Sequence, residues 1–151
     1  LYKDKVIAGI ILGLLADTVK LITNYTMFHF NLTKITFWQI TATRFLKKDD
    51  LFQPIAYLIG GIADITITSI IGISFIYLIS YIGREYLWVK GIGFGMTIWV
   101  VLFGTLLGQS AQKKLPQEPL AIIVTIIAHF VYGLAFAFFY PKFFPLEKRD
   151  S

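Results

Sequence analysis

From Val6 to about Phe28 the chain is apolar for long enough to cross a bilayer, and it carries Asp17 near its centre with Lys20 one turn further on. A helix needs about 20 mostly apolar residues to span a hydrocarbon core of about 30 Å. Charges at that depth are expensive in lipid and turn toward protein. A chain with such a stretch is a membrane protein with something polar buried near its midplane.

Three further stretches meet the same length test, giving spans at about 6–28, 55–82, 91–109 and 120–140. Pro54 and Pro119 each stand just before a span, where a helix loses no backbone bond, and Pro141 and Pro145 are expected to close the last. Composition agrees: 56% of the residues are hydrophobic and only 15% charged, a balance moved from soluble domains toward lipid. The fold expected is an all-α integral membrane protein, residues 1–151 forming a single four-helix transmembrane domain.

The first loop, about His29 to Gln53, is longer than a turn. Ile35, Trp38, Ala42 and Phe45 recur there at helical spacing, with Lys34, Gln39, Thr41, Arg44, Lys47 and Lys48 on other faces. A basic amphipathic segment with a Trp lies in the headgroup plane, so an interfacial helix is expected over about 33–48. The alternative is an irregular loop packed on the helix ends. Trp88, in the short second loop, is a further interfacial anchor.

The net charge of +5 would point to nucleic acid in a soluble protein. Here most basic residues flank the spans and meet lipid headgroups, so the expected partner is the bilayer and not nucleic acid. Four spans put both termini on one side with Lys3, Lys5, Arg84, Lys90, Lys142, Lys148 and Arg149, seven basic residues. Six lie opposite: Lys34, Arg44, Lys47, Lys48, Lys113 and Lys114. Seven against six is a smaller asymmetry than the positive-inside rule needs; the termini are expected on the cytoplasmic side of a bacterial inner membrane because residues ahead of Leu1 would add charge there. The first stretch is too long for a signal-peptide core and has no cleavage site. The chain opens on Leu1, so a few native residues are expected ahead of it.

The first span has one small and polar face: Gly9, Gly13, Ala16, Asp17, Lys20 and Asn24. Residues three and four apart share a side of a helix, and small ones admit a close neighbour. Gly91, Gly95, Gly104 and Gly108 give the third span two similar G-x-x-x-G steps. The other ionisable residues inside spans are Asp64 and His129. Counted at 1.5 Å per residue from the side of the first and third loops, Asp64 and His129 lie about 14 Å deep, Lys20 about 12 Å and Asp17 about 16 Å. The four fall in one slab near the midplane. Asp17 and Lys20 can neutralise each other, leaving Asp64 in need of a partner. His129 is the first candidate and Lys20 the second. Asn24 and Tyr132 are secondary polar members of the same region.

Such a cluster serves either as glue between helices or as a pathway for a proton or cation. No cysteine is present, which excludes thiolate metal sites and cysteine nucleophiles. There is no H-E-x-x-H, nucleophile elbow or phosphate loop, so no enzyme, cofactor or metal is expected. Gly72 to Ile79 also matches Gly133 to Tyr140 in its order of small, aromatic and aliphatic residues. That is either a parallel repeat or chance likeness in an apolar chain.

Gly9 with Gly13, His29-Phe30 with Trp38, Gly72 to Leu78, Lys90 to Gly95 and Tyr132-Gly133 together resemble small four-span membrane proteins of spore-forming, clostridia-like Firmicutes. The resemblance covers nearly the whole chain and implies no activity. The function expected is a non-catalytic subunit, structural or accessory, of a membrane oligomer or complex. The alternative is a small proton- or cation-linked channel or transporter using the buried cluster.

Overall fold

The computed structural model describes residues 4–145. Its four long helices are α1 (Lys5–His29), α3 (Pro54–Ile82), α4 (Leu87–Val101) and α6 (Pro119–Phe143), with short helices α2 (Phe37–Ala42) and α5 (Gly108–Lys114) between them. Each long helix, α4 together with the turn after it, is apolar and long enough to cross a membrane. No strand occurs among the described residues. The protein is an all-α, four-span membrane protein. Lys3, Lys148 and Arg149, three of the basic residues counted beside the termini, lie outside the described residues.

Lipid is as apolar as leucine, so these helices gain little from apolar burial against one another and associate by close backbone approach. The two hairpins solve this alike. A Cβ added at Gly13 would meet the Thr68 carbonyl and Gly72, and one added at Gly72 would meet the backbone of Gly9 and Gly13. In the second hairpin, Gly95 abuts Gly133 and the His129 carbonyl, and Gly91 abuts the Gly133 carbonyl. The aligned glycines of the sequence likeness, Gly72 and Gly133, thus do the same work against G-x-x-x-G steps on α1 and α4. α1 then packs on α6 and joins the hairpins. The backbones of α3 and α4 stay further apart. Phe75, Phe94 and Phe136 fill the space between them, with ring centroids 4.7 to 5.6 Å apart.

Several sequence expectations are corrected. The third span does not run as one helix to residue 109. α4 gives way to a π-turn over Leu102–Leu106, closed by the Leu107 amide on the Leu102 carbonyl at 2.6 Å, and α5 follows as a separate piece. Gly104 consequently faces open space and Gly108 meets only the Phe103 carbonyl of its own turn. Neither packs against another helix among the described residues. Pro141 does not end α6, which continues to Phe143; a proline in a last turn forfeits only one backbone bond.

The largest correction concerns the first loop. The helical part is only Phe37–Ala42, and it does not lie in the headgroup plane. Ile35, Phe37, Gln39, Ile40, Thr41, Ala42 and Thr43 are all buried. The physical reason lies in the charges: Ile35 to Thr43 contains none, and Lys34 and Arg44 stand at its two ends. Such a stretch is too short to cross and too apolar to float. It enters the bundle and returns to the same side.

Candidate functional site

The re-entrant segment is turned inward by local rules. α1 ends in a Schellman motif: Asn31 takes the left-handed conformation (φ 59°), its amide bonds the Phe28 carbonyl and the Leu32 amide bonds Met27. Thr36-x-x-Gln39 then starts α2 as a capping box. Gln39 Oε1 accepts the Thr36 N–H at 2.9 Å, while its Nε2 donates to the Leu51 carbonyl at 3.1 Å. Backbone at this depth must be covered by protein. Asn24 Oδ1 accepts the Phe37 N–H at 2.9 Å. Gly60 lets the Trp38 carbonyl lie directly against α3, where any side chain would collide. On the return side, Lys114 Nζ of α5 donates to the carbonyls of Thr43 and Leu46 at 2.5 and 2.7 Å, and Thr43 meets the Ser110 hydroxyl at 3.0 Å.

At the inner end sits the polar centre. Lys20 Nζ lies 2.5 Å from Asp17 Oδ1 and 3.0 Å from Asp64 Oδ1. Asp64 Oδ2 accepts the Trp38 indole N–H at 3.1 Å. The Phe37 ring covers the ammonium, with its centroid 3.8 Å from Nζ, and the Tyr132 ring stands at 5.3 Å. Asp17, Lys20 and Asp64 are each at most 5% exposed. An ammonium held by two carboxylates over an aromatic face is desolvated but well compensated. With all three groups ionised the trio carries one negative charge.

His129 is equally buried but does not pair with Asp64. Its Nδ1 lies 2.8 Å from the Thr125 carbonyl of its own helix, and its ring packs among Phe37, Phe103 and Tyr132. The Tyr132 hydroxyl is spent on Thr68 at 2.6 Å, tying α6 to α3. Lys20, the second candidate, takes the place expected of His129.

Trp38 is no interfacial anchor, because its indole is a working member of this centre. Arg44, Lys47 and Lys48 are exposed on the loop side, and Trp88 is half exposed at the start of α4. Phe37, Gly60 and Thr68 also belong to the site, and neither helical spacing nor depth marks them in the sequence. The Gly60-Gly61 pair one turn before Asp64 was the available signal for the close approach.

Compared with protein-family models, curated proteins and solved structures, the chain matches none. Among the described residues no three acidic or histidine side chains converge as metal ligands would. One cavity of about 310 Å³ reaches the trio, bounded by Asp64, Ile67, Phe37, Leu102 and Leu106, with Arg44 also on its wall. Its lining is overwhelmingly apolar. The arrangement can pin a re-entrant segment between three helices, and it sets two carboxyl groups against one ammonium.

Proposed function

We propose that this chain is a non-catalytic membrane protein that serves as a structural or accessory subunit of a membrane oligomer or complex. The observation that carries this reading is the closure of the polar centre. Lys20 is shared by Asp17 and Asp64, Asp64 is also bonded by Trp38, and Phe37 caps the ammonium. Lys20 and Asp64, so engaged, have little left for a substrate, and Asp17 is held by its ion pair to Lys20 alone. They fasten the re-entrant segment to α1 and α3. That the chain works with others is supported by α4, in whose most apolar stretch only 11% of residues are buried, against 39 to 50% in the other spans.

The second reading, a proton- or cation-linked channel or transporter, draws on the charge count. Two carboxylates against one ammonium leave room for one proton or monovalent cation, and the 310 Å³ cavity reaches Asp64. The two readings part in one experiment. The protein is purified in mild detergent, its mass and co-purifying partners are recorded, and it is reconstituted in liposomes containing a pH-sensitive dye. The expected result is an oligomer or a complex with no flux above protein-free vesicles. A partner-free protein whose pH-dependent flux disappears in Asp64→Asn would replace the first reading with the second.

A further inference from the structure

Asn24 carries a donor that nothing among the described residues uses. The Phe37 N–H fixes Oδ1 as acceptor at 2.9 Å, so the other end of the amide is Nδ2. That atom is buried without a hydrogen-bond partner, in a residue only 2% exposed. An amide donor left without an acceptor is costly at a depth where no water can supply one. Asn24 also lines a cavity of about 360 Å³ on the flank of the bundle, formed by Leu21, Ile22 and Tyr25 of α1, Trp38 of the re-entrant segment and Tyr57 of α3. The cavity is apolar, and Ile22 and Tyr25 are 61% and 63% exposed at its edge. Its opening is therefore to lipid.

Depth selects the occupant. α1 has 25 residues and so is about 37 Å long, some 7 Å more than the hydrocarbon core, which puts the boundary about 4 Å inside each end. Asn24 is five residues from His29, about 7.5 Å from that end and so just below the boundary. Tyr25 and Tyr57, both exposed at the groove, are the residue type of an interfacial belt. The groups that carry a hydrogen-bond acceptor at this level with an apolar chain beneath are lipid esters. We infer that the groove seats an acyl chain of a glycerolipid, its ester carbonyl accepting from Asn24 Nδ2. The second hairpin has a counterpart on the same side: a groove of about 500 Å³ among Trp99, Phe103, Gly104 and Ile122 includes Gln117, whose Nε2 is likewise buried without a partner. This inference does not depend on the role proposed for the charged centre.

The test uses Trp38 as reporter. The chain has three tryptophans, so Trp88→Phe with Trp99→Phe leaves Trp38 as the only one. That parent is placed in vesicles of unbrominated ether-linked phosphatidylcholine, which lacks the carbonyl, doped with brominated phosphatidylcholine whose chains are linked by esters or by ethers. The expected result is that the ester lipid half-quenches Trp38 at about one-fifth of the brominated-to-host ratio the ether lipid requires, the worth of one net hydrogen bond. Ile22→Phe narrows the groove and leaves Asn24 in place; it should abolish the difference, as should Asn24→Leu. Equal quenching by the two lipids in the parent overturns the inference. So does an ester preference that survives Ile22→Phe, because the lipid then sits elsewhere. The ester–ether comparison in the parent stands even if Asn24→Leu fails to fold.

Discussion

Lys20 is the residue on which the centre depends, because among the described residues it is the only basic group paired with the two buried carboxylates. Lys20→Met removes the compensation from both and should cost about 3–5 kcal/mol, the penalty for stranding a partner of a buried ion pair. His129→Leu loses a bond to a carbonyl that its own helix also engages, with a cost of about 1 kcal/mol. Unfolding by denaturing detergent, followed by circular dichroism, orders the two variants. Equal midpoints would return His129 to the charged centre. The two residues also mark what a sequence yields at this scale. Counting from the helix ends gives depth, and depth brought Asp17, Lys20, Asp64 and His129 to one level. It gives no azimuth. His129 has the right depth, but Phe37 contacts both its ring and the Lys20 ammonium, and the sequence reading had assigned Phe37 no place in the centre. Asn24 ranked as secondary for the same reason, since its acceptor role requires a backbone amide from a segment that was not expected inside the bundle.

The element that sequence periodicity misplaced is α2. Helical spacing of Ile35, Trp38, Ala42 and Phe45 is real, yet amphipathic periodicity cannot distinguish a helix lying on a membrane from one buried in protein. The distribution of charge along the chain separates them better, because a floating helix carries its basic residues throughout and this one only at Lys34 and from Arg44 onward. The four spans were legible because length and apolarity alone define them. The π-turn was not, because Gly104 and Gly108 continue a packing spacing that the backbone abandons at Leu102. Re-entry rests on the bare backbone of Gly60. Gly60→Val should therefore push the segment off α3, while Gly93→Ala, whose added Cβ meets nothing within 4 Å, should be neutral or slightly stabilising. The chain has no cysteine, so Thr41→Cys supplies a clean probe. Thr41 is 8% exposed, and its thiol should react with a maleimide several-fold faster when Gly60→Val is added and at an unchanged rate with Gly93→Ala. A rate unaffected by Gly60→Val would mean that the segment is held by its side chains alone.

The whole molecule has a side left open. Each hairpin closes through glycines on a G-x-x-x-G step, and α1 then finds a second neighbour in α6. α4, the counterpart of α1, finds no such neighbour. It packs on α6 and leaves Gly93, Thr97, Val100 and Gly104 exposed along one face, spaced four, three and four residues apart. The added Cβ of Gly93 or Gly104 would meet nothing within 4 Å among the described residues. Small residues in lipid-facing spans are where another helix comes close enough for dispersion contacts and weak Cα–H bonds to act. If the chain is a subunit, α4 is where its neighbour belongs. Thr97→Cys, oxidised in native membranes, should then yield a disulfide-linked dimer of this chain, or a mixed adduct when a bifunctional thiol-amine reagent replaces the oxidant. Ile70→Cys, at a 55% exposed position on α3, should give neither at the same dose. A Thr97→Cys protein that stays a single chain under both reagents, with a monomer mass in mild detergent, would set aside the subunit reading and leave α4 facing lipid.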